Sequence, residues 1–257
     1  MTIGILQARL SSSRFPGKVL MEINSKPMIY WQLERVRKAK LISEIVVATS
    51  SLKSDDSLVS YLESINQPFV RGSLNNVKSR FDKVLNKYSC DQFVRLTADC
   101  PMVMPSLVDD LIKRFKSSNL DYLSNTLAPT YPDGLDVEII RTRPFMRLGS
   151  KALSDIEKEH VTYAMYSRKG QFLVENYKNE VNLSHLRWTV DYKEDFDFVS
   201  NVFAHFKGYE SKFTMNDVLD LLSSKPHLKS SIDGSRRNES LNKEITFGPR
   251  GNHKQIL

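Results

Sequence analysis

Apolar and polar positions follow two rhythms along the first half of the chain. Short, mostly apolar runs at 3–6, 44–49 and 68–70 have the length and composition of buried strands, and Gln-Phe-Val-Arg-Leu-Thr at 92–97 reads as a further strand. Between them, apolar residues recur at helical spacing. Met28, Ile29, Trp31, Leu33 and Val36 mark a helix over 27–38, and Leu58, Val59, Leu62 and Ile65 mark one over 55–65. A third helix is predicted over 77–88, and a fourth, opened by Pro105, over 105–117. Strand and helix in regular alternation predict right-handed βαβ units and a parallel sheet.

Beyond residue 125 the rhythm becomes irregular. Residues 131–138 read as a turn followed by a strand start, 157–168 as a helix, and 185–191 as a strand ending in Asp191. A helix over 194–206 carries Phe196, Val199, Phe203 and Phe206 on its apolar face, and a last one is predicted over 214–222. From Lys225 onward Ser, Asn, Gly, Arg and Lys dominate. That composition predicts a weakly ordered extension over 225–257, touching a neighbour through residues 245–247.

Composition narrows the class. With 257 residues the chain can bury a full α/β core, and 40% hydrophobic with 26% charged residues is ordinary for a soluble protein. No apolar run approaches the roughly 18 residues of a membrane span, and the N-terminus lacks a signal-peptide pattern. Cys90 and Cys100 have no CxxC spacing, which fits a reducing cytoplasm. The net charge is +7, and the last 33 residues, with seven Lys/Arg against three acids, hold more than half of it. A nucleic-acid binder would interleave basic and aromatic residues over one surface. Here the excess gathers in a non-aromatic tail and one short loop, which argues for an anionic small molecule and against nucleic acid or membrane.

That loop follows the first strand. Residues 7–18, Gln-Ala-Arg-Leu-Ser-Ser-Ser-Arg-Phe-Pro-Gly-Lys, place Arg9, Arg14 and Lys18 among small residues at a strand end, where α/β proteins bind ligands. Guanidinium and ammonium groups beside exposed amides make a seat for a polyphosphate. The spacing is neither a P-loop nor a dinucleotide turn. The alternative is a plain basic surface loop. After the fourth strand comes Thr97-Ala-Asp-Cys-Pro101, whose Asp99 is either a Mg²⁺ ligand or a turn aspartate. Cys100 reads as packing rather than a nucleophile, Trp188 as core, and His160 as either an acceptor-orienting or a structural histidine.

Seven blocks in order resemble the cytidylyltransferase family of the spore-coat polysaccharide biosynthesis protein F type, within the superfamily of CMP-sialic acid and CMP-Kdo synthetases. They are residues 7–20, Ile-Val-Val-Ala-Thr (45–49), Arg-Gly-Ser (71–73), Arg-Leu-Thr-Ala-Asp-Cys-Pro (95–101), Tyr-Pro-Asp-Gly-Leu-Asp-Val-Glu (131–138), Glu-His-Val-Thr (159–162) and His-Leu-Arg-Trp-Thr-Val-Asp (185–191). The resemblance implies a Rossmann-like nucleotidyltransferase fold over 1–224, α/β with a mixed, mostly parallel sheet. It also implies an insertion at about 131–180 for acceptor and dimer contacts. The implied activity is Mg²⁺-dependent transfer of CMP from CTP to a sugar or sugar-acid acceptor by a cytoplasmic homodimer. Carried over by position, Arg9, Arg14 and Lys18 would grip the triphosphate, with Arg14, Lys18 and Asp99 catalytic. Ala8, Thr49 and Ser73 would lie near the cytidine, Asp99 and Asp191 would hold the metal, and Tyr131, Asp133, Asp136, Glu138 and His160 would face the acceptor. Asn75, Asn76 and Ser79 stand where family members often carry acids. The alternatives are a metal-dependent glycosyltransferase, which would carry Asp-x-Asp where this chain has Asp99-Cys-Pro, a nucleic-acid-binding protein, and a non-catalytic nucleotide-binding protein.

Overall fold

Seven strands form one sheet in the order β5-β4-β1-β6-β8-β7-β9. The structure, a computed structural model, describes residues 1–12, 14–149, 152–228, 237, 241–242 and 245–246. Strands β1 (Thr2–Gln7), β4 (Glu44–Ser50), β5 (Phe69–Gly72) and β6 (Gln92–Thr97) run parallel, and β2 (Glu22–Ile23) with β3 (Lys26–Pro27) makes a small separate hairpin. Beside β6 the direction changes. Strand β8 (Glu138–Arg141) pairs antiparallel with both β6 and β7 (Tyr122–Ser124), and β9 (Val174–Asn176) closes the edge parallel to β7. Residues 131–180 thus supply β8 and β9 to the main sheet.

Strand side chains alternate between two apolar layers, as burial on both faces requires. On one face Leu6, Val47 and Val94 pack with helices α1 (Met28–Val36), α2 (Asp56–Ser64), α4 (Pro105–Lys116), α8 (Lys193–His205) and α9 (Met215–Ser224). On the other, Ile5, Val46 and Phe93 pack with α3 (Val77–Lys87), α5 (Thr142–Arg147) and α7 (Tyr163–Ser167). Among the described residues no helix is long and apolar enough to cross a membrane.

Strand order reverses at β1, which has β4 on one side and β6 on the other. Loops leaving the carboxyl ends of two such strands diverge and open a crevice. The loop after β1 carries Arg9, Arg14 and Lys18, and the loop after β6 carries Asp99.

Two sequence expectations change. The helix expected over 157–168 is broken into α6 (Asp155–Glu159) and α7, separated by His160, Val161 and Thr162. The break lets Thr162 Oγ1 donate a buried hydrogen bond to Glu138 Oε2 at 2.5 Å. The stretch 185–191 is extended but joins no ladder of the sheet. It makes one isolated bridge, Asp133 to Arg187, and its amides go to loop carbonyls, Trp188 to Asp133 and Val190 to Asp99. Asp191 therefore sits on a segment clamped between loops, not at a strand end. Most of 225–257 lies outside the described residues, so the expected extension is described only at 225–228, Arg237, Leu241, Asn242, Ile245 and Thr246.

Candidate active site

The cationic loop is held from three sides. The Gly17 amide donates to the Leu10 carbonyl at 2.9 Å, closing the loop on itself, and the left-handed φ of +75° at Gly17 suits a residue without Cβ. The Leu10 amide donates to Asp55 Oδ1 at 2.7 Å, and the buried Asp55 also accepts from Ser50 at the end of β4. Lys18, nearly buried, donates from Nζ to the Val190 carbonyl at 2.5 Å and to Asp191 Oδ1 at 3.1 Å. Arg14 reaches the other Asp191 oxygen at 2.7 Å.

Asp99 is aimed by its backbone. Its carbonyl accepts from the Val190 amide at 2.8 Å and from Thr189 Oγ1 at 3.1 Å, which fixes the turn after β6. Its carboxylate makes no ion pair among the described residues. The one contact found is a long hydrogen bond, 3.4 Å, from the Cys100 thiol. Burial and the neighbouring Asp99 carboxylate push that thiol well above its ordinary pKa, so it stays protonated and unreactive.

Asp191 is in the opposite state. Burial works against its ionisation, but Lys18 and Arg14 outweigh burial and hold the carboxyl down at about 2. Arg187, a residue without an assigned role in the sequence reading, organises the rest. Its guanidinium, only 1% exposed, binds Asp133 at 2.8 Å, Asp195 at 2.9 and 3.0 Å and Asp191 at 3.4 Å. The spacing of Arg187, Asp191 and Asp195 at steps of four was the available signal.

Two adjoining cavities open on these groups. The smaller, about 220 Å³, is walled by Ala8, Arg9, Lys18 and Val77. The larger, about 450 Å³, is walled by Tyr122, Tyr163, Tyr166, Asp133, Asp136 and Glu138. Arg14, Arg95, Thr97, Asp99, His160 and Asp191 line both, forming a shared wall.

Other expected residues sit differently. Thr49 is fully buried with its hydroxyl unpaired among the described residues, and Ser73 accepts a hydrogen bond from the Asn76 amide; neither lines either of the two cavities. The Asn76 side chain caps α3 by accepting from the Ser79 amide, which gives that segment a structural use. The Tyr131 ring stacks on Tyr177 within the core. Glu138 lines the larger cavity, but its oxygens are engaged by Arg95, Tyr122 OH at 2.7 Å and Thr162. Burial and Asp136 push Asp133 up to about 7 against the pull of Arg237 and Arg187.

The donor set suits a hard cation only in part. Among the described residues no three His, Cys, Asp or Glu groups form a ready cage. Mg²⁺ commonly needs just one or two carboxylates together with substrate phosphates, and Asp99 offers a carboxylate with no ion pair among the described residues. Asp191 would first have to exchange its Lys18, Arg14 and Arg187 contacts.

A model of the family described as cytidylyltransferase matches residues 3–223. The spore coat polysaccharide biosynthesis protein SpsF of Bacillus subtilis is 28% identical over 229 residues, covering 86% of this chain and 94% of that protein. An uncharacterised protein of Methanocaldococcus jannaschii is 29% identical over 240 residues, covering 93% and 96%. Among solved structures, a cytidylyltransferase from Leptospira borgpetersenii superposes with a TM-score of 0.85 at 25% identity, covering 90% of this chain and 97% of that one. A CMP-2-keto-3-deoxy-manno-octonic acid synthetase in complex with CTP shares the fold, with a TM-score of 0.59 at 18% identity over 79% of this chain and 98% of that one. With the match spanning nearly the whole sheet and both loops of the crevice, the chain belongs to the cytidylyltransferase family and is a CTP-dependent nucleotidyltransferase of Rossmann-like fold.

Proposed function

We propose that the chain transfers CMP from CTP to a sugar-type acceptor with Mg²⁺, releasing pyrophosphate, in the synthesis of a surface polysaccharide or related glycoconjugate. The observation that carries this reading is the shared wall. A cavity lined by loop cations meets a cavity lined by tyrosines and acids at Arg14, Asp99, His160 and Asp191. The first suits a triphosphate and the second a polyhydroxylated molecule, so an acceptor oxygen and an α-phosphorus would face each other there. The acceptor O–H gives its proton to solvent, its oxygen bonds to the α-phosphorus, and the bond from that phosphorus to the bridging oxygen breaks, the oxygen keeping the electron pair and leaving with pyrophosphate.

Such a transfer needs charge neutralisation and in-line positioning rather than a protein nucleophile. Lys18 and Arg14, parked on Asp191 here, are within a side chain's reach of the smaller cavity they also line. Arg9, paired loosely with Glu159 at 3.9 Å, is a third cation at its mouth. Asp99 is the residue proposed to hold Mg²⁺, whose bound charge would supply further neutralisation of the phosphates. The exposed Leu173 and Val174 at the start of the edge strand β9 support pairing of two copies.

The test is the thermal midpoint of the protein with Mg²⁺ and CTP, UTP, ATP or GTP in turn. A ligand at about 100 times its dissociation constant stabilises the native state by about 2.7 kcal/mol. For a chain of this size that is a rise of several degrees, expected with CTP and absent with the other three. An equal shift with all four, or none with any, would overturn the reading.

A further inference from the structure

Arg237, far along the basic tail, has a nearly buried side chain. Only 8% of it is exposed, and it lies against the acids of the larger cavity. Its Nη2 donates to Asp136 Oδ1, its Nε stands 3.4 Å from Asp133 Oδ1, and its Nη1 donates to the Tyr131 carbonyl at 3.2 Å. Leu241, Asn242 and Ile245, from the same segment, line that cavity directly. Asp133 is held on its other side by Arg187. The 131–136 turn is thus gripped between a guanidinium from the core and one from the C-terminal segment.

We propose that Leu241, Asn242 and Ile245 form part of the wall of the acceptor site and that Arg237 is a positioning residue, orienting Asp136 and neutralising Asp133 so that the pair can face the hydroxyls of a sugar. The proposal rests on the assignment of the larger cavity to the acceptor. Two adjacent carboxylates facing one cavity repel each other and any anionic partner unless cations lie behind them. Arg187 is shared with Asp191 and Asp195, so it cannot by itself neutralise the Asp133–Asp136 pair. Arg237 supplies the missing charge: it hydrogen-bonds Asp136, which fixes that acid's direction, and stands 3.4 Å from Asp133 as an ion pair without a hydrogen bond. Because Arg237 is not on the wall of the smaller cavity, it should affect the acceptor and leave the nucleotide alone.

A double-mutant cycle on the full chain tests the contact without reference to activity. Arg237→Gln and Asp136→Asn should each lower the thermal midpoint by about 2–6 °C, and the double variant should be no worse than the weaker single one. Additive shifts, or no shift for either, would overturn the seating of Arg237. Kinetics with Mg²⁺, CTP and a panel of sugars and sugar acids, including 3-deoxy-manno-octulosonate, test the role. Arg237→Ala should raise KM for the accepted sugar at least about tenfold, as loss of a charged hydrogen-bonding group does, while KM for CTP stays within about twofold. Arg237→Lys should recover part of that loss. An equal rise in both KM values, or no change in either, would overturn the positioning role. If the wild-type protein releases pyrophosphate with no sugar, the transferase reading fails while the stability cycle still decides whether the segment is seated.

Discussion

Lys18 and Arg14 leave one loop at different points and end on the same carboxylate. That convergence makes Asp191 a pH-dependent fastener. A free aspartate titrates near 3.9, and Asp191 is held at about 2. A carboxyl with a depressed folded-state pKa contributes stability that is fully present above about pH 4 and is lost as pH falls toward 2. Asp191→Asn should therefore flatten the drop in thermal midpoint between pH 5 and pH 3. A variant as acid-sensitive as the parent would show that the cations do not fasten there. Asp99 is held by fewer contacts. With no ion pair among the described residues and only the Cys100 thiol as a neighbour donor, its loss removes no packing. Asp99→Ala should keep the parent midpoint within a degree or two and lower kcat at least about 100-fold, the scale of losing a transition-state charge contact. Full activity in that variant would end the proposed metal role.

At the scale of elements, the 131–138 turn and the 185–191 segment form one unit, and Gly134 is where they touch. It has φ of +105°, and a Cβ built there would lie 2.4 Å from the Thr189 amide nitrogen and 2.5 Å from the Trp188 carbonyl carbon. Gly134→Ala must push the two segments apart, at a cost of about 1–3 kcal/mol for overpacking and more for the backbone. A lower urea midpoint together with lost turnover is expected, because Asp133, Asp136 and Asp191 all ride on this unit; a stable, active variant would refute the close approach. Much of the parallel half was legible in the sequence. Runs such as 44–49 and 92–97 and the stripes on α2 and α4 are local signals, and the observed bounds differ by a residue or two. Trp188 and Val190 do alternate as in a strand and are buried, yet what they lie against is a turn and not a ladder, which no local pattern reveals. Strands β7 and β9, three residues each, are too short for periodicity to register. In the site, Arg14, Lys18 and Asp99 were legible because they follow strand ends. Arg237 was not, since its partners Asp133 and Asp136 lie about 100 positions away, and of Arg187 only the near partners Asp191 and Asp195 left a spacing, its contact to Asp133 lying 54 positions away.

Across the whole molecule, one buried cation ties distant parts together. Arg35 on α1 is fully buried and donates to the carbonyls of Val103, Glu210 and Phe213, each at 2.8 Å, with its guanidinium 4.0 Å from the Phe213 ring centroid. It links α1, the turn that follows Asp99 and the loop before α9. Arg35→Met would strand three buried carbonyls, at about 1–3 kcal/mol for each left unpaired. The urea midpoint should fall with the slope unchanged, and an unshifted midpoint would mean that water replaces the guanidinium. The basic excess, once a reason to weigh nucleic acid, is partly consumed in such internal contacts. The shared wall between the two cavities also bears on how the reaction winds down. On the proposed assignment of the smaller cavity to CTP and the larger to the acceptor, a CMP-linked product would span both chambers and pyrophosphate would fill only the smaller one. Accumulating CMP-linked product should then compete with both substrates, and pyrophosphate with CTP alone. The enzyme would slow itself as its own nucleotide-activated product builds up, and whatever consumes that product downstream would set the pace.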